Sequence, residues 1–83
     1  MREELRTYIL ENFMFGASPQ DLDDDASLLD TGVLDSTGVL ELISHVEQTY
    51  GVEVQAAEIV PENIDSVNQL RAFLDRKGAR VGL

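Results

Sequence analysis

The sequence predicts an all-α domain, a four-helix bundle with a long first loop and a short third helix. Three observations carry this. Apolar residues recur at three- and four-residue spacing in separate stretches. Those stretches run into Gly16, Gly51 and Gly78, the position where a helix commonly ends in a left-handed residue. A chain of 83 residues has room for one core, burying roughly 60 to 65% of its unfolded surface, so residues 1–83 are expected to form a single domain.

The first helix is expected from Arg2 to Phe15, with Leu5, Ile9 and Phe13 in one apolar stripe flanked by Tyr8. The stretch from Ala17 to Asp35 is long for a helix connection and rich in aspartate. Leu22, Leu28, Leu29, Val33 and Leu34 give it apolar anchors, and a long loop packed by its own side chains is often functional. The second helix is expected from Ser36 to Tyr50. Val39, Leu42, Ile43, Val46 and Tyr50 form its core face, and Ser36, Leu40, Ser44 and Glu47 line the other side. Between Gly51 and Ser66 at most a short third helix fits, because Pro61 disfavours helix in the residue before it. The last helix is expected from Val67 to Lys77. Ser66 and Gln69 open it as a capping-box pair, Val67, Leu70 and Leu74 face inward beside Phe73, and Arg76 and Lys77 close it at the negative end of the dipole.

Composition removes several function classes. The apolar fraction of 43% is that of a folded globular domain, and no stretch approaches the roughly 20 apolar residues that span a bilayer. Acidic residues interrupt the N-terminal segment Met1-Arg2-Glu3-Glu4-Leu5-Arg6, which does not read as a secretory signal, so a cytoplasmic protein with no membrane partner is expected. The chain has no cysteine, so any thiol chemistry has to come from a cofactor. Sixteen acidic against six basic residues give a net charge of −10, which repels nucleic acid and favours basic protein surfaces.

Three constellations in the sequence are candidates for chemistry. Asp21, Asp23 and Asp25 match positions 1, 3 and 5 of a calcium loop, but Ala26 and Gly32 stand where a glycine and a bidentate glutamate are required; no metal site is expected. A serine hydrolase needs a histidine beside its serine. His45 is the chain's one histidine, and it lies about 13 Å of helical rise from Ser36. The remaining candidate is Asp35-Ser36 at the mouth of the second helix. There a hydroxyl is exposed, and an attached phosphodiester would sit near unpaired backbone N–H groups. The plain alternative is a small acidic interaction or ion-binding protein in which Ser36 is a helix cap only.

The segment from Leu28 to Ile43, Leu-Leu-Asp-Thr-Gly-Val-Leu-Asp-Ser-Thr-Gly-Val-Leu-Glu-Leu-Ile, resembles the attachment region of the acyl carrier and peptidyl carrier family. The order helix, long loop, helix, short helix, helix matches as well. The resemblance implies an acyl-carrier-like fold and a non-catalytic protein, expected to be monomeric. In that family a phosphopantetheinyl transferase esterifies the matching serine, here Ser36 next to Asp35, with 4′-phosphopantetheine from coenzyme A. The arm then holds an acyl or aminoacyl cargo as a thioester. An activating ligase and downstream transferases with basic surfaces are the implied partners, and Thr37, Leu40, Glu41, Ser44 and Glu47 are the implied partner-facing residues. Many fatty-acid carriers follow the serine with leucine and an acidic residue. This chain has Thr37-Gly38, which resembles bacterial carriers charged with amino acids by dedicated ligases. On this reading Gly38 leaves room for a different partner surface to approach.

Overall fold

A computed structural model describes residues 1–79. Four α-helices run in the order α1 (Arg2–Phe13), α2 (Ser36–Tyr50), α3 (Pro61–Ile64) and α4 (Val67–Arg76), with 3-10 turns at Pro19–Asp21 and Ala56–Glu58. This is the all-helical, acyl-carrier-like bundle expected from the sequence. Leu5 and Ile9 of α1, Leu42 and Val46 of α2, and Val67, Leu70 and Leu74 of α4 are completely buried in one continuous core. Each of these helices is therefore held by one apolar stripe rather than by propensity alone.

Helix α1 is shorter than its sequence suggests, ending at Phe13 rather than Phe15. Met14 leaves helical geometry, and the chain turns through Phe15 and Gly16, closed by the Ala17 N–H donating to the Met14 carbonyl at 3.0 Å. The left-handed residue, Gly16 at φ 81°, ends that turn and not the helix. Gly51 does end α2, at φ 67° with its N–H on the Glu47 carbonyl. Helix α4 stops at Arg76, one residue short of the expected end, and Lys77 caps it. Pro61 ends the stretch before it as expected, and it also occupies the first position of α3, where its missing N–H costs nothing.

The first loop is tied down at two points. Its first half hangs on Arg6, an arginine on the buried side of α1. Arg6 donates to the carbonyls of Leu22 (2.7 Å) and Pro19 (2.6 Å) and to Asp24 Oδ1 (2.6 Å). Its second half hangs on Asp65, the residue after α3, which accepts from the Ser27 hydroxyl and from the Leu29 N–H. Leu22, Leu28 and Leu34 are buried beneath these bonds, while Leu29 and Val33 are half-buried against the core. The loop thereby has a fixed path, and its end is delivered to the start of α2.

Candidate functional site

Asp35 is the N-cap of α2. Its backbone is extended, and its Oδ1 accepts the Gly38 N–H at 2.7 Å. Ser36 is the first residue inside the helix, exposed, and its hydroxyl has no hydrogen-bond partner among the described residues. With Gly38 satisfied by Asp35 and Val39 by the Asp35 carbonyl, the amides of Ser36 and Thr37 are left at the positive end of the helix dipole.

Gly38 is buried, and this corrects the sequence reading of it as open surface. A Cβ there would lie 3.2 Å from the Phe13 ring, 3.2 Å from Asp35 Oδ1 and 3.4 Å from Leu34 Cδ2. The glycine is the seat on which the end of α1 and the cap of α2 close together. Tyr8 joins the same contact: its ring meets Phe13 edge-on at 5.7 Å and stacks on His45 at 3.7 Å. His45 is half-buried in that stack, with Nδ1 3.4 Å from the Thr49 hydroxyl. Burial lowers its pKa, against an opposing pull from the Glu4 charge.

Two grooves flank Ser36. One, of about 390 Å³, is apolar and runs between α2 and α3, with Leu29, Val39, Leu40, Ile59, Pro61 and Ile64 around the serine. The sequence singled out only Leu40 for this neighbourhood. Nothing in the spacing of Ile59, Pro61 and Ile64 says that their segment folds back beside α2. The other groove, of about 290 Å³, holds Phe15, Val33, Asp35, Thr37 and Glu41. On the outer face of α2, Thr37, Leu40, Glu41 and Ser44 line one shallow surface with Tyr8 and His45. Four of the five residues implied as partner-facing are thus brought together. The fifth, Glu47, is half-buried and accepts the Val54 N–H at 2.9 Å, which ties α2 to the segment after it.

The charges around the serine are one-sided. Asp35 and Glu41 make no ion pair among the described residues, whereas Arg2 and Arg6 are drawn to Asp24 and Lys77 to Glu58. Three more loop aspartates have partners within the chain: Asp21 accepts from the Ser18 N–H, Asp23 from the Asp25 N–H, and Asp25 from the side-chain amide of Asn68 in α4. No group of three or more potential metal ligands converges among the described residues. None of their helices is long and apolar enough to cross a membrane.

An exposed, uncapped hydroxyl beside two free amides and an apolar groove fits a phosphodiester followed by a slender arm. No side chain among the described residues hydrogen-bonds that hydroxyl. The chain is similar to known proteins over most of its length. Residues 3–74 match the family described as the phosphopantetheine attachment site. The D-alanyl carrier protein of Streptococcus suis (strain 05ZYH33) is 34% identical over 70 residues, covering 84% of this chain and 85% of that protein. The D-alanyl carrier protein of Abiotrophia defectiva is 32% identical over 59 residues, covering 71% and 75%. Among solved structures, a chain from the crystal structure of an FAD-dependent dehydrogenase superposes with a TM-score of 0.76 at 36% identity, covering 84% of this chain and 97% of that one. The chain belongs to the phosphopantetheine-binding carrier family; it is a carrier and not an enzyme, and its cofactor is 4′-phosphopantetheine.

Proposed function

We propose that Ser36 bears the 4′-phosphopantetheine arm and that the protein carries an aminoacyl group, of the kind its D-alanyl relatives are named for, to partner enzymes. The observation that supports this most directly is the division of labour at the start of α2. Asp35 does the capping, so the Ser36 hydroxyl is not needed by the fold and remains free for modification. This also disfavours the reading of Ser36 as a helix cap only. When bound, the arm supplies the thiol that a cysteine-free chain lacks, and the cargo is held there as a thioester. The chain contributes the phosphate seat at Ser36 and Thr37, the apolar groove beside them and the acidic face that partners meet.

Three partners follow from this reading: a phosphopantetheinyl transferase, an amino-acid-activating ligase and a downstream acceptor enzyme. For the last, a flavin-dependent dehydrogenase is a second candidate class. The 36% identical chain from the dehydrogenase crystal structure is shorter than this one, and therefore of carrier size itself.

Intact-mass and peptide mass spectrometry test the attachment. After incubation with coenzyme A and a broad-specificity transferase, the wild type gains one arm on the peptide that contains Ser36, and Ser36→Ala gains none. A modified Ser36→Ala protein, or a wild type left unmodified by several active transferases, overturns the assignment. For cargo, the holo-protein is offered to amino-acid ligases and to fatty-acyl-loading enzymes. Efficient fatty acylation without aminoacylation overturns the aminoacyl reading.

A further inference from the structure

We infer that Phe15 and Leu40 form a two-point apolar anchor for the phosphopantetheinyl transferase, set either side of a ridge made by Asp35, Thr37 and Glu41. The inference rests on Ser36 being the attachment residue. An enzyme that forms a bond to the Ser36 oxygen has to cover the start of α2. A standard interface takes about 800 Å² from each partner, a disc of about 16 Å radius. The residues bordering that helix start therefore lie beneath it.

Two large apolar side chains stand out in water among the described residues, Phe15 at 84% and Leu40 at 61% exposure, and both border this spot. Phe15 lines the groove that holds Asp35, Thr37 and Glu41. Leu40 lines the neighbouring surface, which shares Thr37 and Glu41 with it. The two grooves meet along the ridge at Thr37 and Glu41. Single exposed hydrophobics need no explanation, but a pair bracketing a modification site has the arrangement of interface anchors, in which a few aromatic and aliphatic side chains fill pockets on the partner.

The backbone that bears Phe15 follows a defined path. Phe13 packs on Gly38, within 3.2 Å of where a Cβ would be, and Tyr8 braces Phe13 edge-on at 5.7 Å. The chain then turns sharply through Met14 to Gly16, which carries Phe15 out beside Asp35. The missing side chain at Gly38 thus lets the end of α1 close on the start of α2, two residues before Phe15.

Charge identifies the occupant's chemistry. Asp35 and Glu41 lie between the two apolar points without a cation of their own among the described residues. The matching surface has two apolar sockets separated by arginine or lysine side chains.

Steady-state transfer from coenzyme A to the apo-protein tests this, with Phe15→Ser, Phe15→Gln, Phe15→Leu, Leu40→Ser and the Phe15→Ser/Leu40→Ser pair. Each polar replacement is expected to lower kcat/KM about thirtyfold, through KM, the size of one interface hot spot. The pair is expected to lose close to the product of the single losses, and Phe15→Leu to recover most of the binding. At 84% exposure, replacing Phe15 leaves the melting temperature unchanged, and two polar replacements guard against an effect peculiar to one. Wild-type KM in both Phe15→Ser and Phe15→Gln, with the arm still added to Ser36, overturns this surface alone, as does a Phe15→Leu protein no better than Phe15→Ser. A wild type that takes no arm overturns the Ser36 reading and this surface with it.

Discussion

The Ser27 hydroxyl lies 2.9 and 2.8 Å from the two carboxylate oxygens of Asp65, 38 positions further along the chain. The same carboxylate accepts the Leu29 N–H at 2.9 Å, and the Asp65 carbonyl accepts the Leu28 N–H at 2.6 Å. One residue at the end of α3 therefore fixes the loop segment that leads into Asp35 and Ser36. Without it, Leu28 would have to stay buried while its neighbours' polar groups went unpaired.

Asp65→Ala removes the acceptor for a hydroxyl and an amide that are both partly buried. Leaving such groups unsatisfied costs about 1 to 3 kcal/mol. We expect a loss of about 2 to 3 kcal/mol by urea denaturation, and a smaller loss in Asp65→Asn, which keeps one acceptor oxygen. Equal stability in wild type and Asp65→Ala would show that the loop does not need the Asp65 carboxylate.

Acid should weaken the other clamp. Burial pushes the Asp24 carboxyl up, but hydrogen bonds and charge from Arg2 and Arg6 outweigh it, and its pKa falls below the ordinary 3.8. A carboxylate with a lowered folded pKa binds its proton more readily in the unfolded chain. Its contribution is present above the ordinary pKa and is lost as pH falls through the folded value. Replacing it by Asn removes that contribution. Wild type is expected to exceed Asp24→Asn in stability at pH 7, with the gap closing as pH falls below the ordinary carboxylate pKa of 3.8. Comparing the two proteins at each pH cancels the relief of repulsion that every other acid brings to a chain of net charge −10. A gap independent of pH would mean that Asp24 works through shape and not through its charge.

Gly38 is expected to resist replacement by residues larger than alanine. Gly38→Ala gains helix propensity, up to about 1 kcal/mol, but presses on Phe13 and Asp35, so the two effects nearly offset. Gly38→Asp puts a second carboxylate against the Asp35 cap and the Phe13 ring, and should cost about 1 to 3 kcal/mol. The acidic residue common at this position in fatty-acid carriers is thus excluded here by packing. A Gly38→Asp protein as stable as wild type would restore the sequence reading of this position as open surface.

Much of this was legible from residue spacing, and what was missed has a common cause. The stripe on α2 was read correctly because a 3.6-residue period repeats over Val39, Leu42, Ile43, Val46 and Tyr50, all of which are buried. Asp35-Ser36 was visible as a helix entrance because capping is local, while its reading as an attachment site came from the resemblance of the segment from Leu28 to Ile43. Arg6 and Asp65 were missed because their roles are not local: each satisfies backbone groups from distant parts of the chain, which no period records. Arg6 did leave a trace, a cation between Leu5 and Ile9 on the buried side of a helix, which only partners could make tolerable. Gly38 was misread for the converse reason. A glycine in a first helical turn looks like absence of contact, and only the folded chain shows Phe13 filling the place of its side chain.

The cap assignment makes a sharp contrast between neighbours. Asp35→Ala removes the acceptor for the Gly38 N–H and should cost about 1 kcal/mol, within the usual 0.5 to 2 for a lost N-cap. Ser36→Ala deletes an exposed hydroxyl without a partner among the described residues, and should change stability by less than about 0.5 kcal/mol. Thermal or urea denaturation of the apo-proteins measures both. The reverse order would make Ser36 the cap and remove the main support for its being free to carry the arm.

Glu41 and Glu47 look equivalent in sequence, two acids six residues apart on the second helix, yet the structure gives them different tasks. Glu41 is exposed and lines both grooves beside Phe15 and Leu40. Glu47 is half-buried, and one of its oxygens accepts the Val54 N–H. Reversing Glu41 to Lys should leave stability within about 0.5 kcal/mol of wild type. It should weaken docking of a basic transferase by about 0.5 to 1 kcal/mol, or roughly twofold to fivefold in KM. That penalty should shrink as salt rises, because exposed charges are screened over about 8 Å at physiological ionic strength. Reversing Glu47 should do the opposite. Loss of the Val54 bond costs about 1 to 2 kcal/mol of stability, and since this carboxylate faces its own chain, the change in KM should be smaller than for Glu41. Denaturation of both variants, with KM measured at low and high salt, separates the two roles. An equal, salt-sensitive rise in KM for both, with neither destabilised, would place Glu47 on the docking face and its bond to Val54 among the contacts that the fold does not need.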